Sequence, residues 1–171
     1  MISLEEMMKT MTKKIQTNVQ IGKQFEKETI SALKKINFKI RQTKSSYDRG
    51  IDFHGKWDNL ENCNIIGQCK CEKKPLGEKY IRELEGTLSH HEDENKKNSS
   101  IGILVSSTGY SNYALNYHRN SKYSIILAIV KQGEINFFLF NEILKKKFPN
   151  LKIGYTYGPQ KEIYFFNETK N

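Results

Sequence analysis

The chain is predicted to be an α/β domain: a mixed sheet of about five strands, helices on both faces and a β-hairpin extension at the C-terminal end. Three observations predict it. Residues 101–106 and 125–130 are near-continuous apolar runs, as expected of strands buried on both faces. Residues 22–36 place Phe25, Thr29, Ala32, Leu33 and Ile36 at helical spacing. Residues 51–57 and 65–71 alternate in polarity about the Asp58-Asn59 turn signal, which reads as a hairpin.

Taken in order, residues 3–20 read as a polar, weakly amphipathic helical extension, so the domain is expected to occupy residues 21–171. Phe38 and Ile40 begin a strand, and Thr43 to Arg49 is a polar loop. After the hairpin, Pro75 and Gly77 stop the strand ahead of a helix over residues 78–90. Gly86 inside that helix suggests close packing on the sheet, because a mid-helix glycine otherwise lowers stability. Residues 92–100 form a charged loop, and Ser111 caps a helix ending near Asn120. The Gln132-Gly133 turn leads to a strand over 135–140 and a short helix over 141–148. Residues 154–157 and 163–166 close the chain as a hairpin around Gly158-Pro159.

The 171 residues suit one domain, and 28 Lys and Arg against 19 Asp and Glu leave a net charge of +9. That excess favours a polyanion such as nucleic acid, although a Lys-, Asn- and Ile-rich composition also follows from an AT-rich genome. Three cysteines (Cys63, Cys69 and Cys71) form no disulfide framework, which points to a reducing intracellular compartment. No run is long and apolar enough to span a bilayer. The first twenty residues lack a secretory core; Lys9, Lys13 and Lys14 suit a weak organelle-targeting helix, the absence of Arg and the presence of Glu5 and Glu6 argue against one, and targeting stays open.

The chemistry concentrates between Asp48 and Lys70. Strand alternation sets Asp52 opposite Ile51 and Phe53, and puts Gln68 and Lys70 on one face. A carboxylate, an amide oxygen and an ammonium then converge across the hairpin. Such a set holds a divalent cation beside a phosphodiester and orients the attacking water. The bland alternatives are a surface aspartate and a strand-end lysine reaching water along its stem. Asp48 reads as a loop or capping residue.

The order of a helix glutamate, then Asp48-Arg49-Gly50-Ile51-Asp52, then Gln68-Cys69-Lys70 resembles the restriction-endonuclease-like (PD-(D/E)xK) superfamily. It is closest to the Mrr-like branch, in which Gln takes the place of the usual acid before x-Lys. Gly55-Lys56-Trp57, Lys74-Pro75-Leu76-Gly77, Ile81 to Gly86 and Ile101 to Ser106 extend the likeness across roughly residues 21–141. Together they resemble the fungal mitochondrial family named for being required for respiratory growth. The resemblance implies an endonuclease that hydrolyses phosphodiesters with Mg²⁺, Mn²⁺ substituting. Its site would be Asp52, Gln68, the backbone carbonyl of Cys69 and Glu26 around the metal, with Lys70 orienting water. Glu28 remains a rival to Glu26, since helix phase is open in sequence. The resemblance also implies DNA rather than RNA as partner and a mitochondrial role in genome maintenance; a homodimer is left open.

Arg49, Lys73, Lys74, Arg119 and Lys122 are candidate phosphate contacts. Tyr110, Tyr113 and Tyr117 beside His118, Arg119 and Lys122 resemble an aromatic-basic surface, with half-buried packing of Tyr113 and Tyr117 slightly favoured. Arg82, Glu83 and Glu85 read as a solvated helix face, His54 as a plain strand histidine, and Cys69 and Cys71 as small core residues. The cysteines lack zinc spacing. Two rivals stand beside the nuclease: a non-catalytic nucleic-acid-binding module that keeps the fold, and an assembly factor without nucleic acid.

Overall fold

The computed structural model describes residues 16–44, 50–94, 99–156 and 163–167. Helix α1 (Asn18–Lys35) starts four residues before the apolar periodicity does, and the cause is local. Thr17 Oγ1 accepts from the Gln20 N–H, and Gln20 Oε1 accepts from the Thr17 N–H, a capping box that closes the first turn. The helix buries Phe25, Thr29, Ile30, Ala32 and Leu33 against the sheet. Asn18 to Gln20, expected in a separate extension, therefore belong to α1; the rest of that extension lies outside the described residues.

Six strands form the sheet in sequence order: β1 (Phe38–Gln42), β2 (Phe53–Trp57), β3 (Leu60–Lys70), β4 (Ser99–Ser106), β5 (Ile125–Lys131) and β6 (Glu134–Phe140). The first three are antiparallel, β3, β4 and β5 run parallel, and β6 returns antiparallel to β5. The expected count was about five; β6 is the sixth. Gln132 (φ 53°) and Gly133 (φ 73°) form a tight turn with two positive φ angles, a turn whose twist matches the flanking strands.

Helices α2 (Glu78–Glu94) and α3 (Asn112–Asn120) pack on the opposite face from α1; α4 (Glu142–Lys147) follows β6. Strands β7 (Leu151–Tyr155) and β8 (Ile163–Asn167) make the C-terminal hairpin, whose turn lies outside the described residues. The two faces carry separate cores. Phe53, Trp57, Ile65 and Phe138 lie in the cluster on the α1 side, and Ile66, Leu84, Leu88 and Leu104 in the cluster on the α2 side. Ile65 and Ile66 fall into different cores, so β3 alternates faces as its sequence predicts.

Several expectations change. The charged segment 92–100 is not all loop: α2 continues to Glu94, and β4 begins at Ser99. Strand β3 starts at Leu60, five residues early, because the hairpin turn is tight. Cys71 lies one residue past the end of β3 and is exposed, so only Cys63 and Cys69 serve the core. Gly86 is exposed, and a Cβ there would meet nothing within 4 Å. Close packing does not explain it.

Candidate active site where the second and third strands part

Strand β3 outruns β2. The last paired residues are Phe53 and Gly67, and residues 68–70 continue with β4 alone on their other side. The Asp52 N–H also donates to the Gly67 carbonyl at 2.9 Å, so two successive residues address one on β3, the pattern of a bulge. A bulge re-aims side chains. Ile51 packs against the α2-side core and Phe53 lies in the α1-side core, so simple alternation does not run through Asp52. That corrects the expectation that Ile51 and Phe53 share a face.

The consequence is where the carboxylate goes. Asp52 Oδ2 accepts the Cys69 N–H at 2.6 Å, a short charge-assisted bond that seats it beside the backbone between Gln68 and Lys70. In a strand the N–H and C=O of one residue point to the same side, so the Cys69 carbonyl faces this opening too.

Gln68 is buried, and its Nε2 donates to Thr87 Oγ1 at 3.4 Å. Thr87 Oγ1 gives its proton to the Glu83 carbonyl at 3.2 Å, so it has only a lone pair left for Gln68. That fixes which way round the amide sits. Gln68 Oε1 is consequently buried with no hydrogen-bond partner. An orphaned buried oxygen costs about 1–3 kcal/mol, and a hard cation would satisfy it. Lys70, on the same face, places Nζ 3.3 Å from Glu83 Oε2 and 5.4 Å from the centre of the Tyr80 ring.

On the other side of the sheet, Glu26 is half-buried and Oε2 accepts from Gln42 Nε2 at 2.9 Å. Its rival Glu28 bonds back along the helix to Gln24. Glu26 is the one turned toward the sheet end. The Cys69 thiol records the surroundings. Burial pushes it well up, the Asp52 carboxylate adds to this, and Glu26 does so more weakly. The Thr29 hydroxyl, in no full hydrogen bond of its own, and the Lys70 ammonium pull the other way. Charges from three elements therefore reach one sulfur. Among the described residues no three His, Cys, Asp or Glu side chains form a ready metal cluster, so a cation here would rely on neutral oxygens of Gln68 and Cys69 besides Asp52. An oxygen-only donor set fits Mg²⁺ or Mn²⁺.

A restriction endonuclease family model, of the Mrr catalytic type, matches residues 19–132. The chain belongs to the restriction endonuclease family. It is also 23% identical over 144 residues to an uncharacterized mitochondrial protein of Schizosaccharomyces pombe, covering 80% of this chain and 56% of that protein. The chain thus spans little more than half the length of that relative. No solved structure matches. The match of the restriction endonuclease model takes in every candidate residue from Glu26 to Lys122 and stops short of the β7–β8 hairpin.

The remaining candidates separate by geometry. Lys73 and Lys74 are exposed just past β3, next to the candidate site. Arg119 and Lys122 are exposed at the far end of α3, and Arg49 and Asp48 lie outside the described residues. His54 is more than a plain strand residue: Arg41 Nε donates to its Nε2 at 2.9 Å, and Thr43 Oγ1 lies 3.3 Å from Nδ1.

The aromatic-basic surface divides: Tyr113, Arg119 and Lys122 are exposed, Tyr110 and Tyr117 are half-buried, and His118 is buried. Tyr110 shares its hydroxyl proton between the Leu104 and Ala128 carbonyls at 2.6 and 2.9 Å, and burial pushes its pKa well up. His118 is buried with Nε2 at 2.9 Å from the Ile125 carbonyl, and burial lowers its pKa to about 4. Tyr117 is half-buried and donates to Glu85 Oε2, while Ser121 donates to Glu85 Oε1, so Glu85 is no solvated face either. Tyr113 is 80% exposed, against the slight preference for packing. Sequence reasoning missed the parts played by Glu83 and Thr87. Their signal was present: Tyr80, Glu83 and Thr87 are spaced three and four apart, on one helix face.

Proposed function

We propose that this member of the restriction endonuclease family is a metal-dependent nuclease that hydrolyses phosphodiesters, acting on DNA. The observation that supports the reading is the 2.6 Å bond from the Cys69 N–H to Asp52, which brings a carboxylate to the strand residue that lies between Gln68, with its buried and partnerless Oε1, and Lys70. Asp52, Gln68 Oε1, the Cys69 carbonyl and Glu26 are the residues that would hold Mg²⁺. When bound, the cation would offset charge on the phosphoryl oxygens and acidify water.

The chain's own residues do the rest. Lys70 extends from β3 on the face of Gln68, where its ammonium can hold the attacking water and meet the phosphate charge. Water attack on phosphorus breaks the P–O bond to the leaving alkoxide, which takes up a proton. Glu83 Oε2, 3.3 Å from Nζ, pairs with the Lys70 ammonium. The relative's mitochondrial name supports a mitochondrial location for this chain; there, the DNA substrate of the nuclease reading would be the organelle's genome.

The test is a panel of duplex, branched and single-stranded DNA and RNA incubated with Mg²⁺ or Mn²⁺, with Lys70→Ala and Asp52→Asn proteins alongside. Wild type is expected to cleave DNA only with metal, and both variants to be inactive yet folded; an Asn oxygen can still accept from Cys69. Binding without cleavage of any form would leave the non-catalytic module as the answer. A Lys70→Ala protein as fast as wild type would move the activity elsewhere.

A further inference from the structure

Strand β3 does not stop at a wall. Beyond Lys70 the chain from Cys71 to Gly77 passes near the first turns of α1 on its way to α2, and leaves a cleft of about 740 Å³. Lys73, Lys74 and Lys79 line it together with the apolar Ile21 and Pro75, the Tyr80 ring and the Glu72 carboxylate. Among the described residues none of these three lysines is in an ion pair, whereas Lys35, Lys39, Lys70 and Lys145 all are. Ile21 is left 39% exposed, although α1 buries its other large apolar residues from Phe25 onward.

Tyr80 joins this cleft to the candidate site. Its ring lies 4.6 Å from Lys79 Nζ and 5.4 Å from Lys70 Nζ, and its hydroxyl donates to Glu72 Oε1 at 3.1 Å, which holds it upright. On the opposite side of Gln68 a second cleft, of about 440 Å³, lies over Asn64 to Ile66 and is bounded by Arg41, His54 and Lys56. A basic cleft, the candidate site and a second basic cleft thus follow one another along β3. Ile66 to Cys71 is five strand steps, about 17 Å at roughly 3.3 Å each.

We propose that the cleft beyond β3 holds an unpaired nucleic-acid strand, leading away from the phosphodiester seated at Lys70. The seating of that phosphodiester rests on the nuclease reading; the cleft's binding does not. Cations in no ion pair among the described residues, gathered in one cleft with an aromatic ring (Tyr80) and apolar side chains, are the pattern by which proteins hold single strands, phosphate against the cations and base against the ring. Size decides against a duplex. A cavity of about 740 Å³ falls in the range of roughly 300–1,000 Å³ that encloses a drug-sized molecule, which is room for a nucleotide or two of one strand. A double helix, with a major groove alone about 12 Å wide, presents its phosphates on too broad a cylinder to enter.

The experiment uses the full-length Asp52→Asn protein, so that substrate survives, and fluorescent oligothymidylate, oligouridylate and a blunt duplex of equal length at fixed salt. Either single strand is expected to bind about tenfold tighter than the blunt duplex, the worth of about one seated base. Replacing Lys73, Lys74 and Lys79 together by Ala should remove that preference and flatten the salt dependence. Ile21→Ser should weaken single-strand binding without changing the salt slope. All four positions are at the surface, and circular dichroism checks the fold. Equal affinity for duplex and single strands, or a preference that survives the triple lysine change, overturns the proposal. Single-strand preference in a protein that cleaves nothing sinks the nuclease reading and keeps the cleft. Rapid wild-type cleavage of blunt duplex with no binding preference does the reverse. Oligouridylate against oligothymidylate tells RNA from DNA as the strand held.

Discussion

Two stretches of this chain carry dense polar chemistry in sequence, residues 48–70 and residues 110–122, and they come out differently. In the second, the interior groups have found partners: Tyr110 two carbonyls, His118 one, Tyr117 and Ser121 the two oxygens of Glu85. In the first, Gln68 Oε1 is buried without a partner and Lys70 reaches out of a strand that continues past its neighbour. Satisfied polar groups hold a fold together. An unsatisfied one beside a carboxylate and an ammonium, unlike the isolated hydroxyls of Ser100 and Ser124, is where a ligand would complete the structure.

The sharpest way to break that comparison is to truncate one group from each region. Lys70→Ala should lower metal-dependent cleavage about a hundredfold to ten-thousandfold, the usual worth of a positioned proton-transfer group, with little change in thermal midpoint. Tyr110→Phe should do the opposite. It should leave cleavage intact and reduce stability by about 1–3 kcal/mol in denaturant titration, because two buried carbonyls lose their donor.

The next largest effect is in pH. His118 has its folded pKa lowered to about 4 from 6.5, so the folded state resists taking up a proton that the unfolded chain accepts readily. Its neutral form gives full stability above about pH 6.5, and stability is lost as pH falls toward 4, by at most about 3 kcal/mol. The free energy of unfolding, measured from pH 7 down to 4.5, should fall more steeply in wild type than in His118→Gln. Parallel curves would mean His118 does not drive the loss.

A finer test works within the candidate site. Thr87→Val keeps the shape and removes the acceptor that orients the Gln68 amide, so Mn²⁺ affinity should drop about tenfold to a hundredfold, as for other groups that orient a ligand. Unchanged Mn²⁺ titration with weakened folding would make Thr87 a packing residue only. The smallest effect is expected at Gly86, in neither region. Gly86→Ala should raise stability by about 0.5–1 kcal/mol, since its Cβ meets nothing. A loss would mean the helix needs a bare backbone there.

How much of this was legible follows from which forces are local. The alternation of Ile65 to Lys70 could be read because the apolar run of Ile65 and Ile66 marks a strand, and strand periodicity then puts Gln68 and Lys70 on one face. Asp52 was found, but the bulge that aims it was not, since Gly67 marks a close approach without saying which β2 residue makes it. The start of α1 was available in Thr17 and Gln20, at capping-box spacing, and was overlooked in favour of apolar periodicity. Tyr110 and His118 looked like surface residues because polarity does not say whether a carbonyl waits inside. Glu83 and Thr87 needed the tertiary fact that α2 lies over β3.

Gly67 has a role its chemistry would never suggest. Any Cβ there would fall inside the Phe53 ring, which lies across it beside Asp52. Natural variants at this position should therefore read like active-site lesions, with binding partly kept and turnover gone, although residue 67 offers nothing to bind or transfer. A survey of tolerated substitutions would rank Gly67 with Asp52 and Lys70, and a search for reactive groups would pass over it.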